Sequence, residues 1–304
     1  MDRDSAYYRQ VQLLFGAIPY VAAEGCFALK GGTAINLFHL PMPRLSVDID
    51  LTYVPIEDRE TSLGNVSEAL QRIVDTMVTS SPSLDAEVLP HTHDHYRAVV
   101  RGRDVQIKVE LSPVTRGVIH EPIEMEAHAE VQREFGYAAM QVVQLPDLYG
   151  GKICAALDRQ HPRDLYDVKL LLDSHGFTRE VFEGFLVYLV SSPRPIAELL
   201  APEFKDITEA YTNQFEGMTR APVALEELLE AREKLVKDIS AYITDTDKKF
   251  LLSLKSGDPR WELIPLPAIE RLPAVQWKLI NVRRMSPQRR GERLNILQSV
   301  LDRM

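Results

Sequence analysis

A chain of 304 residues with 45% hydrophobic and 26% charged residues has the composition of a globular protein with material for one large domain or two ordinary ones. Its net charge of −9 excludes a surface that attracts nucleic acid everywhere, so any such contact has to be local. No stretch approaches the roughly eighteen apolar residues of a membrane span, and the start "MDRDSAYYRQVQ" lacks the basic-then-apolar order of a signal peptide. A cytoplasmic protein without membrane contact is therefore expected, with its two cysteines, Cys26 and Cys154, as reduced thiols in apolar runs.

In chain order, residues 5–22 read as a helix, since Val11, Leu14, Ile18 and Val21 recur at helical spacing and Pro19 marks a kink or stop near its end. "CFALK" follows as a strand, "GG" as a turn, and Thr33 as the N-cap of a helix "AINLFHL" that ends at "PMPR". "SVDIDLTYV" is the next strand. A helical stripe of Leu63, Val66, Leu70, Ile73 and Met77 covers 61–80, and residues 84–111 hold the strands "LDAEVL", "HYRAVVR" and "VQIKVEL", the last two joined by a turn at "RGRD". "AAMQVVQL" adds a last strand. After Pro146 the character becomes helical: three consecutive helices, a long helical stretch over 222–256, and a final helix with Ser286 as N-cap and Pro287 at its first position. The pattern is α+β, with a mixed domain over 1–145 and a mainly helical domain over 146–304.

The strand "SVDIDLTYV" raises the first chemical question. Alternation turns Val47, Ile49 and Leu51 to one face and Asp48 and Asp50 to the other, with the two carboxylates roughly 6.5–7 Å apart along the strand. Two bare charges at that separation repel by roughly 2–3 kcal/mol at an effective dielectric of about 20. Either this face is solvated or a cation sits between them. Upstream, Gly31 and Gly32 follow a strand and precede a helix, a context in which backbone amides approach a phosphate closely. A phosphate cradle, a helix and a returning D-x-D strand form the arrangement a nucleotidyl transferase needs, with Asp48 and Asp50 as ligands of Mg²⁺. Glu110, sharing its strand face with Lys108, reads either as a third metal ligand and base or as an ion-pair partner of a neighbouring strand. Lys152 is expected in the first turn of its helix, opposed to the helix dipole unless it points at an anion. Asp164 and Asp167 share a helical face near Arg159 and Arg163; taken singly, each of these charges reads as solvent-facing. His91, His93 and His95 have metal-ligand spacing but sit where a hairpin tip explains them.

The ordered motifs "LKGGTAINLF…RLSVDIDLTY" and "GGKICAALDRQHPRDLYDVKLL" resemble the AbiEii/AbiGii-type nucleotidyl transferases, toxins of type IV toxin–antitoxin and phage-defence systems. The pattern lands on Gly31 and Gly32, Asp48 and Asp50, Lys152, and Asp167, and spans about residues 27–173. The resemblance implies a polymerase-β-like nucleotidyltransferase core joined to a helical C-terminal domain. It implies Mg²⁺-dependent transfer of NMP from NTP to an RNA acceptor, tRNA among mycobacterial relatives, and a separately encoded antitoxin. The nucleotide-binding set is then Lys30, Gly31, Gly32, Thr33, Ser46 and Lys152. An RNA surface is expected at Arg283, Arg284, Arg289, Arg290 and Arg293, in a segment, 281–304, that holds six arginines against Glu292 and Asp302. Two other readings stay open: a transferase of the same core acting on a small molecule or a protein, and a non-catalytic interaction protein that keeps the fold.

Overall fold

The computed structural model of the chain describes residues 4–91 and 95–304. His93, the middle member of the histidine triplet, lies outside the described residues. The chain divides into two units, Met1–Gln144 with Gly217–Pro222, and Leu145–Glu216 with Val223–Met304.

The first unit contains α1 (Ala6–Ala22), β1 (Phe27–Lys30), α2 (Gly31–Thr33) continued by a π-helical turn over Ala34–His39, β2 (Ile49–Tyr53), α3 (Arg59–Ser80), β3 (Asp85–Leu89), β4 (Tyr96–Arg101), β5 (Gln106–Leu111), β6 (Ile123–Glu126), α4 (Ala129–Phe135) and β7 (Ala139–Val142). Its strands form one seven-stranded mixed sheet in the order β3-β4-β5-β2-β1-β7-β6. The helices α1 and α3 pack on it, α1 against β5 and β7 and α3 against β3 and β4. Ser5 caps α1 by accepting from the Tyr8 amide, and α1 runs on past Pro19 to Ala22 without the one bond that an amide at position 19 would have donated. Asp58 caps α3 through the Thr61 amide, which starts that helix two residues before the apolar stripe does. The short edge strand β6 and the helix α4 have no counterpart in the sequence pattern. The residues of β6 are mostly exposed, so no alternation marks it, and it exists by pairing with β7. Gly217–Pro222 joins this unit through backbone bonds from Leu45 to Met218 and from Arg220 to Pro43.

The second unit is helical: α5 (Leu145–Asp158), α6 (Pro162–Ser174), α7 (Arg179–Ser191), α8 (Ile196–Leu200), α9 (Thr208–Gln214), α10 (Leu225–Tyr242), α11 (Asp245–Ser256), α12 (Pro273–Arg283) and α13 (Pro287–Leu301). The single helical stretch expected over 222–256 is two helices, because Thr244 opens a new one with a reciprocal capping box to Asp247. The Arg179 guanidinium then grips Asp247 with two bonds of 2.8 Å, tying α7 to α11. Ser286 and Pro287 start α13 as the sequence indicates. No helix among the described residues is long and apolar enough to cross a membrane, and both cysteines are free.

The α5–α7 contact depends on missing side chains. A methyl on Gly184 would lie 2.7 Å from the Pro146 carbonyl carbon, and one on Gly150 would lie 2.7 Å from the Gly184 carbonyl carbon and 2.9 Å from the Tyr188 ring. Backbone meets backbone here, so neither atom can yield by changing rotamer. Gly184→Ala is expected to lower the urea midpoint, at a cost of about 1–3 kcal/mol. Gly64→Ala, at an exposed position of α3 where a methyl meets nothing within 4 Å, should be neutral or stabilising.

Candidate active site

The register of the sheet assembles a row of charges. Lys30 lies opposite Asp50 in the antiparallel β1–β2 pair, Asp50 opposite Glu110 in the parallel β2–β5 pair, and Glu110 opposite Arg97 in the antiparallel β5–β4 pair. Directly paired residues share a face, so Lys30, Asp50, Glu110 and Arg97 stand side by side across four strands. One residue along, Leu29, Leu51 and Leu111 are paired in the same way, and all are buried. Asp50 and Glu110 thus sit on adjacent strands about 4.8 Å apart at the backbone, flanked by a cation on each side. The Glu110 carboxylate lies 2.7 Å from Arg97 Nε, so the ion-pair reading of this residue describes its contact. Lys30 Nζ donates to Thr115 Oγ1 at 3.3 Å. Burial pushes the Lys30 ammonium pKa down, and Asp50 works against that shift.

The glycine turn meets this row directly. Gly31 has φ of +72°, the left-handed region that glycine tolerates, and a Cβ there would lie 2.9 Å from Cβ and Cγ of Asp50. The Asp50 carboxylate therefore occupies the space a side chain would need. A Cβ on Gly32 would lie 2.7 Å from an Arg44 Nη atom and 2.8 Å from Ser46 Oγ. Thr33 departs from its expected role. Because Gly31 makes the turn at once, α2 begins there with Lys30 as N-cap, and Thr33 lies inside the helical segment. Its hydroxyl instead donates to the Asp48 carbonyl at 2.5 Å and lies 3.0 Å from Ser46 Oγ. Asp48 also stands differently from expectation, since β2 begins at Ile49 and Asp48 immediately precedes it, on backbone held by Thr33. Arg44, buried beside Gly32 and donating to the Leu45 carbonyl, is a site residue with no sequence signal beyond the break at "PMPR".

Two carboxylates offer a hard-oxygen donor set suited to a divalent cation whose other positions are filled by phosphate oxygens and water. Among the described residues no group of three or more His, Cys, Asp or Glu side chains is gathered for a metal, in keeping with Glu110 being turned to Arg97.

In the second unit the lysine motif forms a buried ion cluster. Lys152 is not in the first turn of its helix: α5 begins at Leu145, about two turns earlier. Arg159 and Arg163 are exposed as expected, but Asp164 and Asp167 are not solvent-facing. Lys152 is 9% exposed, and its Nζ lies 2.9 Å from Asp164 and 3.0 Å from Asp167, both carboxylates being almost wholly buried. Arg159 adds bonds of 2.5 and 2.9 Å to Asp164. Helical spacing of three puts Asp164 and Asp167 on one face of α6, whose N-terminus is set by the His161 ring accepting from the Arg163 amide and by Pro162. Two cations and two anions leave the cluster neutral. Burial alone would raise the Asp164 pKa, but Lys152 and Arg159 outweigh it and hold the carboxyl well below the usual range.

Of the arginines at the end of the chain, Arg283, Arg284 and Arg289 are exposed and Arg290 and Arg293 half-buried. Arg283 Nε donates to the Gly257 carbonyl at 2.9 Å, and Arg293 lies 3.9 Å from Glu198.

Removing one partner from the buried cluster tests it. Asp164→Asn is expected to cost about 3–5 kcal/mol at neutral pH, measured by urea unfolding. Since the folded pKa lies below the unfolded value of about 3.9, this contribution is complete above that pH and is lost as the pH falls toward the folded pKa. The gap between wild type and variant should therefore close below about pH 4.

With this geometry in view, the comparisons with known proteins are specific. The family profile described as nucleotidyl transferase AbiEii toxin, type IV TA system, matches residues 12–281. Among solved structures, the nucleotidyltransferase toxin MenT4 of Mycobacterium tuberculosis superposes with a TM-score of 0.57 at 14% identity, covering 97% of this chain and 94% of that one. A likeness at that identity speaks for the α+β fold alone. No curated protein matches the chain at a significant level. The family match takes in both units and every motif from the glycine turn to Asp167, and the chain belongs to the AbiEii family of nucleotidyltransferase toxins of type IV toxin–antitoxin systems, a membership that implies a separate antitoxin.

Proposed function

We propose that this toxin transfers a nucleoside monophosphate from an NTP to an RNA acceptor, the 3′ end of a tRNA, in the cytoplasm and in the service of phage defence. The observation that carries the reading is the contact of Asp50 with the glycine turn: a carboxylate for a metal is set against the backbone suited to a triphosphate. Asp48 and Asp50 would hold Mg²⁺, which when bound neutralises charge on the phosphates and orients the NTP. Lys30, Gly31, Gly32, Thr33 and Ser46 bind the nucleotide tail, the glycines by close backbone approach and Lys30 by charge. Glu110, next to Asp50, accepts the proton of the attacking hydroxyl as it adds in line to the α-phosphorus and pyrophosphate departs. By the family pattern Lys152 would offset charge on the nucleotide phosphates, and within the helical unit Asp167, with Asp164, holds it charged and fixed. Arg283, Arg284, Arg289, Arg290 and Arg293 contact the RNA backbone, a role supported by their local excess of positive charge.

The test is incubation of purified protein with Mg²⁺ and each labelled NTP, with total tRNA or with lysate protein, followed by sequencing of RNA 3′ ends. Label is expected in tRNA; label in the protein fraction would transfer the reading to another acceptor. Asp48→Asn and Asp50→Asn should each lower transfer on the order of a hundred- to a thousandfold with an unchanged thermal midpoint. Near-normal transfer in Asp48→Asn would refute the assignment. Charge reversal at Arg289 and Arg290 should weaken RNA labelling and flatten its salt dependence, by about 0.7 in log–log slope for each phosphate that the variant no longer neutralises.

A further inference from the structure

We infer that the helical unit carries a phosphate-binding recess of its own, built around Lys255 and Arg293. The recess lies between α8, α11 and α13, has a cavity volume of about 40 Å³, opens to solvent, and is lined chiefly by Ile196, Glu198, Lys255, Arg293, Ile296 and Leu297. Apolar side chains form much of its wall, yet Lys255 reaches into it. Lys255 is 5% exposed and makes no hydrogen bond or ion pair among the described residues. Its ammonium is therefore met only from the solvent-open side of the recess, and an anion bound there would pair with it against a largely apolar wall.

The neighbouring charges make the case stronger. Arg289 and Arg293, one turn apart on α13, both act on Lys255 as like charges, and together with burial they push its pKa down. Lys278 of α12 is also close: burial and the charge of Lys255 push it down to about 8. Lys278 has its own partners, donating at 2.6 Å to the carbonyls of Ser192 and Arg194 just beyond α7. Lys255 lacks an equivalent among the described residues. Its place in the last turn of α11 is favoured by the helix dipole, which gives only partial compensation. Glu198 is the carboxylate at the rim, half-exposed, 3.9 Å from Arg293 and 3.8 Å from Arg194, and no ion pair joins it to Lys255 among the described residues.

Lys255 and Arg293 in the lining, with Arg289 close enough to act on Lys255, leave an excess of two positive charges against Glu198. A phosphate group matches that excess, and its tetrahedral oxygens can accept from an ammonium and a guanidinium at once. Such a group comes either as free phosphate or as part of a nucleic-acid backbone. The inference rests on the charges of the helical unit and holds whatever acceptor the transferase uses.

The test titrates the full-length protein with phosphate at low millimolar concentration, against chloride at equal ionic strength, and follows the thermal midpoint. At such concentrations saturable binding acts and general salt exclusion is small. Phosphate is expected to raise the wild-type midpoint beyond chloride. Lys255→Met and Arg293→Gln should each weaken apparent phosphate affinity at least about tenfold. In chloride, Lys255→Met should be as stable as wild type or more so, because a cation crowded by like charges is replaced by an apolar chain in a largely apolar wall. The phosphate response should persist in Lys30→Met, which removes the cation of the candidate active site's phosphate turn and so separates this recess from it. Binding of a single-stranded RNA across a salt series then identifies the source. A log–log slope reduced by about 0.7 in Lys255→Met assigns the site to a backbone phosphate, and an unchanged slope with an abolished phosphate response assigns it to the free anion. The inference is overturned if wild type responds to phosphate no more than to chloride, if either recess variant keeps the wild-type phosphate affinity, or if the response is lost in Lys30→Met.

Discussion

Hydrogen-bond register between four strands is the constraint from which the candidate site follows. With β2 antiparallel to β1 and parallel to β5, Asp50 is aligned with Lys30 on one side and Glu110 on the other, and Arg97 closes the row. A slip of one residue in any of these pairs would turn the carboxylates toward the side occupied by Leu29, Leu51 and Leu111 and bring those leucines out. The buried leucine row therefore enforces the polar row: packing on one face decides where the charges of the other face stand. Gly31 completes the arrangement, since its positive φ turns the chain straight into α2 and its missing side chain leaves room for the Asp50 carboxylate. The Thr33 hydroxyl, released from capping by the early helix start, holds the backbone on which Asp48 lies.

The helical unit solves a different problem, that of placing cations among packed helices. Among its described residues, three buried lysines are treated in three ways. Lys152 is neutralised by Asp164 and Asp167, with Arg159 balancing the second carboxylate. Lys278 is satisfied by two backbone carbonyls past the end of α7 and titrates lower as a result of its burial. Lys255 has cations for neighbours and an open recess in front of it. The first arrangement holds helices α5 and α6 together at a desolvation cost that only complete pairing offsets. The last leaves the ammonium to be met from outside the chain, through the recess.

How much of this is legible in the amino-acid order depends on the range of the interactions concerned. The helices α1 and α3, the hairpin of β4 and β5 and the start of α13 all carry local signals, such as a 3.6-residue stripe, alternation, or a capping serine followed by proline, and the structure has them close to where those signals lie. The α+β class and the family motifs are legible for the same reason, because their residues recur in a fixed order along the chain. The edge strand β6, the attachment of Gly217–Pro222 to the first unit, and the break between α10 and α11 carry no such signal, since pairing partners remote in sequence or a single capping threonine decide them. Local rules also misplace Thr33 and Lys152: each fits a helix start by residue type, but the first is pre-empted by Gly31 and the second by a helix that begins at Leu145.

What the amino-acid order determined by itself is the inventory: a glycine pair before a helix, two aspartates at alternating spacing, a lysine and an R-D-x-x-D segment, and a basic C-terminal stretch in an acidic chain. Tertiary structure alone decided which of these charges meet. It set Glu110 against Arg97, buried Lys152 between two aspartates, and left Lys255 facing a recess. The reason is that periodicity assigns a side chain to a face of its own element, whereas the partner across that face comes from strand register and helix packing, which bring together residues far apart in the chain.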